Sequence, residues 1–169
     1  MPVPVVPVLA PASSPAPGQE IDGIACAPLE QLVFHIHAHL TIFVRGAQRQ
    51  IPYGLGIAPP LRIDRTPAGD FALAGACFTW LHTHAGDGII HIESPVTRTY
   101  TLGEFFDIWN QPLTSNRVGP ASGAVTAFFD GRHYLGNPRT IPLLAHARIQ
   151  LDVGRPLVAP ESIHFPTGL

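Results

Sequence analysis

Side chains that bind transition metals are concentrated in two short segments of this chain. Residues 79–94 read Thr-Trp-Leu-His-Thr-His-Ala-Gly-Asp-Gly-Ile-Ile-His-Ile-Glu-Ser, and residues 34–45 read Phe-His-Ile-His-Ala-His-Leu-Thr-Ile-Phe-Val-Arg. Together they contain six of the nine histidines in the chain. Imidazole is the commonest side-chain ligand of zinc and copper, and it binds in the neutral form that is present near pH 7. The two segments therefore predict a divalent-metal site.

The segment 79–94 has the pattern of a β-hairpin. Residues 80–84 and 89–93 are rich in aromatic and β-branched types, and Ala-Gly-Asp-Gly between them is typical of a turn. A turn at 86–87 places His82 opposite His91, whereas a turn at 87–88 places His84 opposite His91. Strand side chains alternate, so either register puts the same four candidate ligands on one face: His82, His84, His91 and Glu93.

The segment 34–45 alternates in the same way. Its even positions from 34 to 44 are all apolar and predict a core face, while the odd positions place His35, His37 and His39 together on the opposite face. The alternative is that the histidines are polar surface positions, or structural groups hydrogen-bonded across strands.

The predicted ligand set consists of His35, His37, His39, His82, His84, His91 and Glu93. One tetrahedral zinc ion takes four ligands, fewer than this set. Either some of these residues hydrogen-bond to the ligands without binding the metal, or two ions bind. Glu93 is a candidate ligand, an acceptor for an imidazole N–H, or a general base. Asp87 belongs to the turn, His146 is a weaker candidate, and His133 and His164 are expected at the surface.

The identity of the metal is narrowed by what the chain lacks. Met1 is the only methionine, which excludes a thioether Cu(I) site. Imidazole-rich, carboxylate-poor ligation suits Cu(II), Zn(II) or Ni(II) and argues against Ca(II) and Mg(II). Copper or zinc is the expected ion.

Composition predicts one mostly-β domain. The chain has 169 residues, of which 46% are hydrophobic and 13% charged, and its net charge of −2 predicts neither nucleic acid nor an anionic membrane as a partner. The 19 prolines and 16 glycines suit short strands and turns.

A helix is expected over 101–112, with a capping box at Thr101 and Glu104 and a buried aromatic face. The expected class is α+β, mostly β: antiparallel hairpins with one amphipathic helix packed on the sheet, in a β-grasp-like or small sandwich arrangement.

The ends of the chain differ from its middle. Residues 1–20 form a Pro/Ala-rich segment that predicts a disordered linker, and residues 21–169 are expected to form a single His-rich β domain. Residues 58–76 have the composition of a loop, 124–135 predict a second hairpin, 146–153 a strand, and 154–169 a Pro-rich tail. No stretch has the length and apolarity of a transmembrane segment, and residues 1–20 do not have the pattern of a signal peptide.

Cys26 and Cys77 are the two cysteines of the chain. In an exported protein they would form one disulfide between the N-terminal segment and the approach to the hairpin. Two free thiols are the alternative, and Cys77 by itself is also a candidate soft metal ligand.

Four phrases resemble those of a family of uncharacterised, often exported bacterial proteins. They are His-Ile-His-Ala-His-Leu from residue 35, Trp-Leu-His-Thr-His from residue 80, Gly-Ile-Ile-His-Ile-Glu-Ser-Pro from residue 88, and Tyr-Thr-Leu-Gly-Glu-Phe-Phe-Asp-Ile-Trp from residue 100. The resemblance covers roughly residues 21–169. It implies an extracytoplasmic location, secreted or membrane-associated, and supplies no activity.

Three functions are compatible with these patterns. The leading hypothesis is an extracytoplasmic protein that binds copper or zinc without catalysis. The alternatives are a metal-dependent enzyme, either a hydrolase or an oxidase, and a non-metal interaction module with structural histidines. The sequence leaves open whether the protein is an enzyme.

Overall fold

A seven-stranded mixed sheet lies at the centre of the computed structural model, which describes residues 4–169. In chain order the strands are β1 (Glu20–Ile21), β2 (Ile24–Ala27), β3 (Phe34–Val44), β4 (Ala47–Arg49), β5 (Arg62–Thr66), β6 (Gly69–Ala74), β7 (Phe78–Thr79), β8 (Leu81–His82), β9 (Ile89–Ser94), β10 (Tyr100–Thr101), β11 (Leu113–Thr114), β12 (Arg117–Val118), β13 (Ala121–Ser122), β14 (Val125–Phe129), β15 (Arg132–Tyr134), β16 (Pro142–Leu143) and β17 (Arg148–Val153). The helix α1 spans Leu102–Ile108, and a 3₁₀ turn spans Pro138–Thr140.

The central sheet has the order β15-β14-β17-β3-β9-β8, and β4 pairs with β3 outside this path. Strands β17 and β3 are parallel, and the other pairs in the sheet are antiparallel. Short two- and three-stranded sheets surround it. The predicted α+β, mostly β class with a single helix is therefore confirmed for the part of the chain that the structure describes.

The two faces of β3 have the different roles that its alternation predicts. Ala38, Leu40 and Ile42 are buried in one core cluster with the aromatic side chains of α1. The odd-numbered face carries the histidines. Burial of the even face fixes which way the imidazoles point, because a slip of one residue would reverse every side chain.

Helix α1 begins as predicted but ends early. The Thr101 side chain and Glu104 form the capping box, and Phe105, Phe106 and Trp109 are fully buried. The helix ends at Ile108 because Asn110 adopts a left-handed conformation with φ of 55°, before Pro112 is reached.

The predicted loop at 58–76 contains the antiparallel hairpin β5–β6. All five residues of β5 are exposed, so this strand lacks the buried apolar alternation from which strands are inferred. A turn in which the Thr66 hydroxyl donates to the Gly69 carbonyl at 2.7 Å closes the hairpin. The prediction of a loop for residues 58–76 was wrong, because β5 is defined by its hydrogen-bonded pairing with β6 and not by buried side chains.

Part of the described stretch of residues 1–20 packs against the domain. Leu9 and Ala10 are buried in the core, and the backbone of Gln50 exchanges hydrogen bonds with Pro7 and Leu9. The indole N–H of Trp109 donates to the Pro11 carbonyl at 2.8 Å. Several backbone groups of residues 7–13 thus have partners elsewhere in the domain. Met1–Val3 of the predicted linker lie outside the described residues.

Cys26 and Cys77 form a disulfide, with their Cα atoms 5.4 Å apart. This outcome rules out the two alternatives of free thiols and of a Cys77 metal ligand. The bond lies beside the pairing of β2 with β7, so it links the N-terminal strands to the chain that leads directly into β8. No helix in residues 4–169 is long and apolar enough to cross a membrane.

Candidate metal centre

Three histidines form a row across three neighbouring strands. His37 of β3 pairs with His91 of β9, and His91 pairs with His82 of β8. In the adjacent row His35 pairs with Glu93. The hairpin therefore has the first of the two registers considered from the sequence, with His82 opposite His91.

The first group of ligand atoms comes from the hairpin. One side-chain atom from each of His82, His84, His91 and Glu93 lies within 4.8 Å of the others. His82 is fully buried, and only 3% of Glu93 and 7% of His84 are exposed. Such burial rules out the alternative in which these side chains are solvent-facing polar positions.

Two backbone carbonyls orient the imidazoles of this group. His82 Nδ1 donates to the Thr79 carbonyl at 2.7 Å, and His84 Nδ1 donates to the Ala72 carbonyl at 2.6 Å. A neutral imidazole that donates from Nδ1 carries a lone pair on Nε2. In the neutral form of each ring Nε2 is therefore an acceptor, as a metal-binding nitrogen is when the other ring nitrogen is held by a carbonyl.

The acceptors point at one another. The Nε2 atoms of His82 and His84 are 3.2 Å apart, and His82 Nε2 lies 3.7 Å from Glu93 Oε2. Two nitrogens bound to one zinc ion at about 2.0–2.1 Å, with a tetrahedral angle, are about 3.3 Å apart. A proton can bridge one such pair of acceptors, whereas a divalent cation can satisfy all of them.

Burial keeps the rings of His82 and His91 neutral. Desolvation, together with the neighbouring imidazoles, lowers the pKa of His82 to about 3 and that of His91 to about 2. Glu93 acts in the opposite direction on His82. Neutral imidazole is the form that binds a metal, so no proton has to be removed from these two rings near pH 7.

Glu93 is a buried carboxylate with incomplete partners. Its Oε2 atom is inaccessible to solvent and accepts no hydrogen bond within the described chain. Its Oε1 atom lies 3.2 Å from His35 Nε2 and 3.7 Å from His91 Nδ1. Because a buried carboxylate is costly unless it is paired or coordinates a cation, the site has the composition of a metal site.

A second group shares Glu93 with the first. His35, His37 and Glu93 each offer an atom within 4.8 Å of the other two. His37 is 6% exposed and its Nε2 atom has no hydrogen-bond partner, whereas the His35 side chain is 41% exposed. Burial, together with the His35 charge, lowers the pKa of His37.

His39 is the predicted ligand that the fold keeps away from both groups. It pairs with Ile89 at the end of the β3–β9 pairing, two positions beyond His37. Its Nε2 atom donates to the Asp87 carbonyl at 2.9 Å. Its Nδ1 atom accepts from the Thr41 hydroxyl at 3.3 Å. Both ring nitrogens have hydrogen-bond partners within the protein. His39 therefore fits the alternative interpretation, in which a histidine is a structural group hydrogen-bonded within the sheet.

The other candidates have the positions expected of them. Asp87 Oδ1 accepts the Ile89 amide within the turn, at 3.0 Å. His146 Nε2 donates to the Leu169 carbonyl, and His146 belongs to neither group. His133 and His164 are exposed.

Glu30 was not predicted from the sequence. It lies between β2 and β3, and its Oε1 atom is 3.2 Å from His84 Nε2. Desolvation and the nearby Glu93 raise its pKa. Residues 28–33 have no periodicity that would indicate this contact; the nearest signal is the position of Glu30 between Cys26 and the histidine strand.

Comparison with known proteins adds no relative to this description: no protein-family model, no curated protein and no solved structure matches the chain. The histidine and glutamate groups thus define a class of site, a buried candidate centre for a metal ion on a mostly-β domain, by their own geometry.

Proposed function

We propose that the protein binds a divalent transition metal, copper or zinc, at His82, His84, His91 and Glu93, and that it acts as a metal-binding protein outside the cytoplasm. Glu30 supports the site from its edge. The observation that carries the proposal is the 3.2 Å approach of two Nε2 atoms whose Nδ1 atoms both donate to carbonyls. Two lone pairs at this distance repel each other unless a proton or a metal ion lies between them, and a metal ion can also bind Glu93 Oε2, which lies 3.7 Å from His82 Nε2.

The choice of copper or zinc follows from ligand chemistry. Three imidazoles and one carboxylate suit Zn(II) and Cu(II), while magnesium and calcium prefer shells of oxygen ligands. Because Cys26 and Cys77 form the disulfide, neither cysteine offers a thiolate that would compete for the ion.

An extracytoplasmic location is supported by the disulfide. Disulfides persist in oxidising compartments and are rare in the cytosol of mesophilic organisms. The resemblance to often exported proteins points in the same direction.

The proposal is tested by metal content and affinity. Protein purified without added metal and then loaded with Zn(II) or Cu(II) should contain bound ion after desalting. His82→Ala/His84→Ala should lower affinity by at least a hundredfold, because two of four ligands are lost. His133→Ala/His164→Ala is the matched control, since it also removes two imidazoles but leaves the site intact.

The controls separate specific binding from general histidine affinity. Equal losses in the two double variants would mean that surface imidazoles bind the metal. Absence of bound ion in the loaded wild-type protein, with the fold verified by circular dichroism, would overturn the proposal and favour structural histidines.

A further inference from the structure

We propose that the site holds two metal ions bridged by Glu93, with the second ion bound by His35 and His37. This inference rests on the proposed function and specifies its stoichiometry. The first ion has the hairpin ligands, and the second lies toward solvent beside β3.

The two oxygens of Glu93 have different nearest histidines. Oε2 lies 3.7 Å from His82 Nε2, on the hairpin side, while Oε1 lies 3.2 Å from His35 Nε2, on the β3 side, and 3.7 Å from His91 Nδ1. A carboxylate that offers one oxygen to each of two ions is a suitable bridge for ions about 3.5–4 Å apart, the spacing of two-metal sites. The pairing of His35 with Glu93 in adjacent strands produces this arrangement.

His37 supplies the independent observation. Its side chain is nine-tenths buried, yet its Nε2 atom has neither solvent nor a hydrogen-bond partner within the described residues. Buried polar atoms are nearly always paired, and His37 offers a ring nitrogen within 4.8 Å of ligand atoms of His35 and Glu93, so its unpaired Nε2 atom indicates a missing ligand. The first ion cannot fill this role for both rows, because its four ligands already complete a tetrahedral shell.

The second site is the more open of the two. His35 is 41% exposed, whereas His82 is fully buried. With two imidazoles and one shared carboxylate as protein ligands, the outer ion has a coordination position for water or another small ligand, as three-ligand sites do. The outer ion should therefore exchange faster and be removed first by a chelator.

The test counts ions and measures their interaction. Wild-type protein, His35→Ala/His37→Ala and the control His133→Ala/His164→Ala are titrated with Cu(II), desalted and analysed for copper, with circular dichroism as the check on folding. We expect two ions in the wild type and the control, and one in His35→Ala/His37→Ala. His35→Ala alone, at an exposed position, provides a variant in which the fold is least disturbed and the second ion should bind at least tenfold more weakly.

Electron paramagnetic resonance tests the bridge. Two Cu(II) ions about 4 Å apart interact magnetically, so the doubly loaded protein should give a broadened or diminished signal that differs from the sum of two isolated ions. The singly loaded variant should give the full signal of one ion.

The outcomes distinguish this inference from the proposed function. Failure of the wild type to bind either copper or zinc after loading with each ion overturns both. One copper in the wild type leaves the proposed function intact and overturns the second site. Three other results would each overturn the bridged pair. They are two ions bound to folded His35→Ala/His37→Ala, no ion bound to that variant, and two magnetically independent ions in the wild type.

Discussion

At the scale of single residues, the histidines of this protein differ in what holds their second ring nitrogen. His82 and His84 donate from Nδ1 to carbonyls and direct their Nε2 atoms toward each other and toward carboxylates, whereas both nitrogens of His39 are held by the turn carbonyl and a hydroxyl. The same side chain on neighbouring strand positions thus has different chemistry. A count of histidines cannot distinguish these cases, because the distinction depends on which carbonyl lies beside each ring.

Glu30 provides a residue-scale prediction. Its carboxylate lies beside His84 Nε2, so Glu30→Gln removes a negative charge next to the proposed ion. We expect metal affinity to fall by roughly tenfold, the lower end of the effect of residues around a metal site. Isothermal titration with Zn(II) measures this.

Glu20→Gln is the matched control for Glu30→Gln, because Glu20 is an exposed residue of β1 that lies in neither ligand group. The control should bind zinc as the wild type does. Unchanged affinity in Glu30→Gln would show that the contact with His84 exists only without metal.

At the scale of elements, the site depends on a hairpin that the sequence did not predict. The Ala72 carbonyl that orients His84 belongs to β6, in the hairpin β5–β6. This strand runs beside the histidine hairpin and supplies one backbone acceptor. The fold therefore supports the metal ligands with elements from outside the two His-rich segments.

The turn between β1 and β2 provides a prediction of pH dependence. Asp22 and Gly23 have φ of 54° and 73°, and a hydrogen bond with Asp107 raises the pKa of Asp22 to about 6. A carboxyl group whose pKa rises on folding stabilises the protein fully below its unfolded pKa, and this contribution is lost as the pH rises through about 6. Asp22→Asn keeps an N–H donor toward Asp107 at every pH and also suits the left-handed turn.

We therefore expect Asp22→Asn to match the wild type near pH 4 and to be more stable at pH 7, by roughly 0.5 kcal/mol because the site is exposed. Urea unfolding at several pH values measures the difference. Asp130→Asn is the control in a similar turn: Asp130 pairs with Arg148, so its replacement should not stabilise the protein. A stability difference for Asp22→Asn that does not change between pH 4 and pH 7 would contradict the assignment.

At the scale of the whole molecule, the disulfide links parts of the chain that are 51 residues apart. The loop-entropy relation for this separation gives about 4 kcal/mol of stabilisation. Cys26→Ser/Cys77→Ser should lower the free energy of unfolding by roughly this amount, measured with urea in the absence of reductant. Reductant should destabilise the wild type and leave the double variant unchanged; equal responses would show that the bond does not form in solution.

Metal binding should stabilise the whole domain. An ion that binds only the folded state adds about 2.7 kcal/mol at a free concentration of one hundred times Kd. For a chain of this length the gain corresponds to a rise in Tm of roughly 5–10 °C. Differential scanning calorimetry with and without Zn(II) measures it, and His82→Ala/His84→Ala should show no rise.

The local patterns determined the elements that carry the site. Alternation in residues 34–44 predicted β3 and its core face, and alternation in 79–94 predicted the grouping of His82, His84, His91 and Glu93, because a strand's side-chain period is local. The predicted strand over 80–84 is shorter in the structure, where β8 covers only Leu81–His82. The capping box and apolar spacing likewise predicted the start and the buried face of α1.

Tertiary structure decided what depends on contacts between distant segments. Only the pairing of β3 with β9 places His37 beside His91, and only the approach of β6 and of residues 28–33 gives His84 its carbonyl and its carboxylate neighbour. His39 is excluded for the same reason, since the turn carbonyl of Asp87 reaches it across the sheet. Sequence periodicity specifies the face of a strand on which a side chain lies, whereas the atoms it meets there are supplied by segments whose positions depend on the packing of the entire chain.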